Sequence, residues 1–316
     1  MKMKTIATIL ALVCSTVCLA QERSFTPTAT YKFADRDTCQ LFLDYYAPAA
    51  GSETSIDGVR KPLVMFAFGG GFTQGSRDDK YFMPWIKMLS DNGFGVVSID
   101  YRLGLKGSGS AGINAKFIKL LDNAISIAVD DLFSATNYIL ENPGLFDEPD
   151  RIVVSGSSAG AITIMQAEWD ICNSHASAKV LPEGFNYAGA MSFAGAIFSK
   201  EGGIRYAKEP CPTLMLHGTA DQMVQYRQLW FFRLRFAGTD VITRTFEKEG
   251  YNYNTLRFDG NGHSISASMV ENFPEEMRFL KANVMKGDRR IVDALVSDPA
   301  IKEPQWSRSG YKAIYE

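Results

Sequence analysis

The chain has 316 residues, 46% of them hydrophobic and 22% charged, with 27 Gly and 12 Pro. That is ordinary globular usage, and it excludes a disordered, collagen-like or disulfide-scaffold protein. The formal net charge is -2, from 33 Lys and Arg against 35 Asp and Glu, so no basic excess marks a nucleic-acid partner and no charge block marks an anionic membrane surface.

The first residues read as an export signal. Lys2 and Lys4 make a positive start, Ile6 to Val13 is an apolar run, and Cys18-Leu19-Ala20 offers small residues for cleavage. The run is too short to span a bilayer, and no later one reaches the ~18 residues that a spanning helix needs. The expectation is a signal peptide over 1–20 and an exported protein, periplasmic or secreted. A lipoprotein anchor is the weaker option, because neither Cys14 nor Cys18 follows the small residue expected there. Residues 21–316 then read as one domain with a C-terminal extension from about 287. Without the leader, Cys39, Cys172 and Cys211 remain, which allows one disulfide and leaves a thiol. With no CxxC pair and three histidines, no structural zinc site is expected.

Tyr31 to Tyr46 reads as an antiparallel hairpin. From Leu63 onward, short apolar runs alternate with helical patterns, the signature of a parallel sheet covered by helices. The expected strands are Leu63–Phe68, Gly95–Ile99, Arg151–Ser155, Tyr187–Phe193, Pro212–Leu216 and, closing the series, Asn254–Phe258. Ile118, Leu121, Ile125, Ala128, Leu132, Ala135 and Ile139 recur at three- and four-residue steps, so one apolar stripe predicts a helix that Asn142-Pro143-Gly144 stops. Further helices are expected over Tyr81–Asp91, Ala159–Trp169, Met223–Phe236 and Pro274–Met285. The tail after Lys286 is charged and contains Pro299 and Pro304; an extra helix followed by an irregular end is the option it offers, with no place in the fold assigned to it.

Gly156-Ser157-Ser158-Ala159-Gly160 falls between a strand and a helix. A GxSxG string alone is weak, and a glycine-rich turn with a serine N-cap is its bland account. In this context a nucleophile would sit on a tight turn whose flanking glycines avoid a Cβ clash, with a helix N-terminus aimed at developing negative charge. A serine needs a base. His175 lies in a polar stretch with no strand before it, while His217 ends a strand and precedes Asp221 by four residues. His263 follows the last expected strand in Asp259-Gly260-Asn261-Gly262-His263-Ser264. The order Ser158, Asp221, His263 is the Ser…Asp…His order of α/β-hydrolases. Asp259 is the rival acid, four residues before His263, and Asp240 lies further from any strand end. Phe68-Gly69-Gly70-Gly71-Phe72 offers consecutive backbone N–H groups for an oxyanion; a phosphate cradle would need a GK[ST] or GxGxxG that does not follow.

These motifs together resemble the carboxylesterases and hormone-sensitive-lipase-like α/β-hydrolases. The series is a HGGG-like loop, Asp100-Tyr101-Arg102-Leu103, GxSAG, HGxxD and a late GH, spread over about Thr30 to Met285. The resemblance implies an α/β-hydrolase fold, a mostly parallel sheet with helices on both faces. It further implies a triad of Ser158, Asp221 and His263, and oxyanion donors at Gly70, Gly71 and Ala159. No cofactor or metal is implied. Phe68 stands where the family usually has histidine, so packing or backbone must hold the glycine loop instead. Family members with lids insert a long segment after the strand that follows the nucleophile helix. The 18 residues between Phe193 and Pro212 fit an ordinary helical crossover, which predicts an open site without a large lid. An exported, open esterase of this kind resembles enzymes that remove acetyl or feruloyl groups from plant polysaccharides. A lipase, a peptidase of the same fold, and a catalytically silent binding protein are the alternatives. Trp230, Phe231 and Phe232 read as helical core aromatics rather than a sugar platform.

Overall fold

A computed structural model describes residues 25–108 and 114–310; the expected signal segment lies outside them. The hairpin is present as β1 (Ala29–Arg36) and β2 (Cys39–Tyr46), and a two-residue pair, β3 (Ser55–Ile56) and β4 (Val59–Arg60), follows it. The apolar runs form β5 (Leu63–Ala67), β6 (Val96–Ile99), β7 (Ile152–Ser157) and β8 (Gly189–Phe193), each buried throughout. Burial on both faces is why they read as continuous hydrophobic runs rather than alternating ones. After β9 (Ala196–Ser199) come β10 (Thr213–Gly218), β11 (Gln228–Phe231), β12 (Leu234–Gly238), β13 (Tyr253–Phe258) and β14 (Val292–Val296). Among the described residues the main sheet has nine strands in the order β1-β2-β6-β5-β7-β8-β10-β13-β14. All pairs from β6 to β14 are parallel, and the antiparallel β1 and β2 extend one edge.

The helices are α1 (Met83–Asp91), α2 (Ala115–Glu141), α3 (Ala159–Cys172), α4 (Thr239–Glu249) and α5 (Phe273–Phe279). Asn114 caps α2 by accepting from the Phe117 N–H, and the chain leaves α2 at Asn142 as expected from the Pro and Gly that follow. The last segment expected as one helix is split, since α5 continues into a π-helical turn over Leu280–Met285. Cys39, Cys172 and Cys211 are all free thiols, the first exposed and the others buried.

Three expectations are corrected. The segment 223–236 is not a helix: it runs into the hairpin β11–β12, with Phe232 in the left-handed region at its tip (φ 54°). Leu229-Trp230-Phe231 is rich in aromatic side chains that lose rotamer freedom in helices and fit strands. The deciding partner is distant, because β12 pairs antiparallel with β9, a contact that no local pattern carries. Trp230 and Phe232 are accordingly not core residues but 68% and 84% exposed. Secondly, the β8–β10 connection contains β9 where a helical crossover was expected. Thirdly, β13 does not close the sheet, since the tail supplies β14 beyond it.

Candidate active site

Ser158 sits between β7 and α3 with φ 50° and ψ -114°, a conformation that a side-chain-bearing residue enters only under strain. The turn is held from several sides. The Ser158 N–H donates to the Phe193 carbonyl (2.9 Å), and Ser157 Oγ donates to the Ser266 carbonyl (2.7 Å). A Cβ at Gly160 would collide with the Ala67 carbonyl of the neighbouring strand, so this position requires glycine by close approach.

His263 opens a 3-10 turn (His263–Ala267) after β13, and Asp221 lies just past the end of β10. Ser158 Oγ is 2.8 Å from His263 Nε2, and His263 Nδ1 is 2.7 Å from Asp221 Oδ2. The carboxylate can only accept, so it fixes the ring proton on Nδ1 and leaves Nε2 to accept from the serine hydroxyl. All three side chains are buried. Asp221 Oδ1 accepts from the N–H groups of Met223 (2.8 Å) and Val224 (3.0 Å). Burial opposes ionisation of Asp221, yet the His263 charge and the hydrogen bonds from His217 and His263 outweigh it and hold the carboxyl well below the usual range.

The three histidines separate cleanly. His175 bonds Asp170 Oδ1 (2.9 Å) and faces Glu201, in a different, polar cavity. His217 is fully buried behind the acid. Its Nε2 lies 3.0 Å from the Val224 carbonyl and 3.2 Å from Asp221 Oδ2, and its Nδ1 is 2.8 Å from Thr239 Oγ1. Sequence reasoning missed this contact, although the four-residue spacing of His217 and Asp221 was its available signal. Asp240, the more distant acid weighed, pairs with Arg257 and Arg244.

Ser158, Ala159 and Gly71 line one cavity of about 440 Å³; Gly70 does not. Gly70 shapes the loop, its carbonyl accepting from the N–H groups of Thr73 (3.1 Å) and Gln74 (3.2 Å). Where the resemblance predicted histidine, the Phe68 ring stacks on Tyr101 (centroids 4.4 Å apart, 23° between planes). Tyr101 Oη donates to the Phe68 carbonyl (2.7 Å). The next residue along, Arg102, grips the buried Asp131 through Nε at 2.8 Å, which fixes the segment carrying Tyr101 to α2. Packing and a backbone acceptor thus hold the glycine loop.

The cavity wall is apolar: Ile118 and Leu121 from α2, Phe198 from β9, and Leu229, Trp230 and Phe236 from the β11–β12 hairpin. Ile118 and Leu121 belong to the apolar stripe that predicted α2. In the structure the stripe is fully buried only from Ile125 on, and its first two turns face the cavity.

The strand order and the serine on the β7–α3 turn define the α/β-hydrolase fold, which this chain has. Residues 43–168 match the BD-FAE family model. An esterase from the planctomycete Thermogutta terrifontis with bound propionate superposes with a TM-score of 0.54 at 19% identity, covering 81% of this chain and 97% of that one. The same esterase phosphoramylated by tabun gives 0.52 at 18% identity, covering 83% and 98%. Among curated sequences, gut esterase 1 of Caenorhabditis briggsae is 31% identical over 33% of this chain and 18% of its own length. The non-reducing polyketide synthase ausA of Emericella nidulans is 30% identical over 44% of this chain. The chain spans only 5% of that synthase.

Proposed function

We propose that the protein is an exported serine esterase that hydrolyses carboxylic esters through an acyl-enzyme. The observation that carries this reading is the unbroken chain Ser158 Oγ–His263 Nε2–Asp221 Oδ2, at 2.8 and 2.7 Å, ending at an apolar cavity. Ser158 Oγ attacks the ester carbonyl while its proton passes to His263 Nε2; Asp221 holds the ring's tautomer and stabilises its charged form. The backbone N–H groups of Ala159 and Gly71, which line the cavity with Ser158, are assigned to the oxyanion, and Gly70 shapes the loop that presents Gly71. As the tetrahedral intermediate collapses, His263 protonates the departing alkoxide and the ester C–O bond breaks. Water then attacks the acyl carbon and gives a proton to His263, which passes it to Ser158 Oγ as the acyl C–Oγ bond breaks and the acid leaves. The names of the structural relatives support ester hydrolysis, and the apolar lining of the cavity supports an acyl or aryl group there; that this group is short rests on the absence of a long lid insertion after the strand that follows the nucleophile helix. That the alcohol is carbohydrate rests on the sequence resemblance, and export rests on the N-terminal pattern.

A fluorophosphonate probe and p-nitrophenyl acetate test this directly. The wild type is expected to be labelled and to turn over, and Ser158→Ala to lose both, with turnover down by about 10⁴-fold or more. A tenth of wild-type turnover remaining in Ser158→Ala would refute the assignment.

A further inference from the structure

The loop that carries His263 contains Gly260 and Gly262 and has little of its own to fix it, yet the imidazole must meet Ser158 within tenths of an ångström. One side of the loop rests on the segment leading to Asp221: the Ala220 N–H donates to the Asn261 carbonyl (2.9 Å) and the Gly260 N–H to Thr219 Oγ1 (2.9 Å). The other side is covered by the tail beyond β14. Glu303 accepts three hydrogen bonds from it, from Asn261 Nδ2 (2.9 Å), the Gly262 N–H (3.1 Å) and Ser264 Oγ (2.9 Å). Ser307, fully buried, accepts from the Ser264 N–H (2.6 Å), and Arg308 Nη2 donates to the Gly260 carbonyl (2.9 Å). Residues 260, 261, 262 and 264 are therefore each tied to the tail, which brackets His263. The approach is so close that a Cβ on Gly262 would collide with the Ser307 carbonyl.

We propose that Glu303–Arg308 is a clamp that seats the His263 loop, with Glu303 as a positioning residue that sets the imidazole's reach to Ser158. The chemistry favours a carboxylate. Three donors converge on one side chain, and an ionised acceptor makes stronger hydrogen bonds than a neutral one. Burial opposes the charge on Glu303, but the hydrogen bonds from Ser307, Asn261, Ser264 and Gly262 outweigh it and lower its pKa. An amide at this position would turn an N–H₂ group toward donors and lose at least one of the three bonds. Displacing a catalytic group by about 1 Å costs on the order of 100-fold in rate.

The clamp rests on the serine-esterase reading, so its test has one arm that does not need activity. In the full-length chain, Glu303→Gln is expected to speed amide hydrogen exchange across 259–268 while exchange in β5 and β7 stays unchanged. It is expected to lower kcat about 10- to 100-fold with KM within twofold, and Glu303→Asp to recover part of the loss. Ser307→Ala removes the acceptor for the Ser264 N–H and one donor to Glu303, keeps the three loop bonds to the carboxylate, and is expected to move both readouts less, in the same direction; Lys302→Ala, next to the clamp, is expected to move neither. Unchanged exchange in Glu303→Gln would overturn the proposal. So would faster exchange with kcat within twofold of wild type, because the tail would then be structural only. A wild type that neither labels nor hydrolyses esters, with exchange still faster in Glu303→Gln, would refute the esterase reading and keep the loop contact.

Discussion

His217 Nε2 lies 3.2 Å from Asp221 Oδ2, the same oxygen that accepts from His263 Nδ1 at 2.7 Å. The acid is thus held between two imidazoles, one facing the serine and one sealed in the core. Because His217 also meets the Val224 carbonyl and Thr239 Oγ1, it joins the Asp221 loop to the start of α4.

His217→Leu is expected to reduce kcat about 10-fold or more with KM little changed, since the carboxylate loses a donor and a fixed neighbour. It is also expected to lower stability by about 1–3 kcal/mol, the cost of leaving buried partners unpaired. His175→Ala, in the separate polar cavity, is expected to keep turnover, and His263→Ala to lose it. Steady-state kinetics with thermal melts on the three variants decide this; equal losses in His175→Ala and His263→Ala would show the wrong base was chosen. The Asp221 carboxyl is held well below the usual range, so mild acidification leaves it ionised.

The hairpin β11–β12 sets a second expectation. Leu229 and Phe236 form a cross-strand pair on the cavity side, and each buried acyl methylene gains about 0.8 kcal/mol against such a wall, roughly fourfold in kcat/KM. Wild-type kcat/KM for p-nitrophenyl esters is expected to rise from acetyl to butyryl and to fall for long chains. Leu229→Ala with Phe236→Ala is expected to flatten the early rise and leave acetyl hydrolysis nearly unchanged. A wild-type profile that climbs steadily to the longest chains would displace the short-acyl reading in favour of a lipase.

Glu276 gives a pH dependence of stability. Its side chain is fully buried between α5 and α1, where Trp85 Nε1 donates to Oε2 (2.6 Å) and Oε1 has no hydrogen-bond partner among the described residues. Burial, only partly offset by the Trp85 bond, pushes its pKa up to about 8. The folded state therefore holds a proton that the unfolded chain releases above its ordinary carboxyl value. This contribution is complete below that value and is lost as pH rises to about 8, the window set by the shifted group. Glu276→Gln is expected to match wild type near pH 4 and to melt higher at pH 8–9, by an amount on the order of a few kcal/mol. Melting curves for both proteins from pH 4 to 9 that run parallel would remove Glu276 as the source.

Much of this protein was legible in its sequence because the relevant signals are local. Continuous Val/Ile/Leu runs marked β5, β6, β7 and β10 because strands buried on both faces need no polar alternation. Gly156, Gly160 and the small residues between them marked the turn carrying Ser158, where close approach of Ala67 leaves no room for a Cβ. The order of Ser158, Asp221 and His263 followed from their places after three strands. The tertiary structure decided what depends on partners far along the chain. Leu229-Trp230-Phe231 became a strand rather than a helix because β9 offers β12 an edge. Tyr101 replaced the missing histidine because its ring reaches Phe68 across the strand ends. The charged tail, which carries no periodicity, gained its place from Glu303 and Ser307, whose acceptors meet donors that the His263 loop presents about 40 residues earlier. Side-chain periodicity records burial along one element; it holds no record of which distant backbone will supply a hydrogen-bond partner, and that pairing is fixed only when the chain is folded.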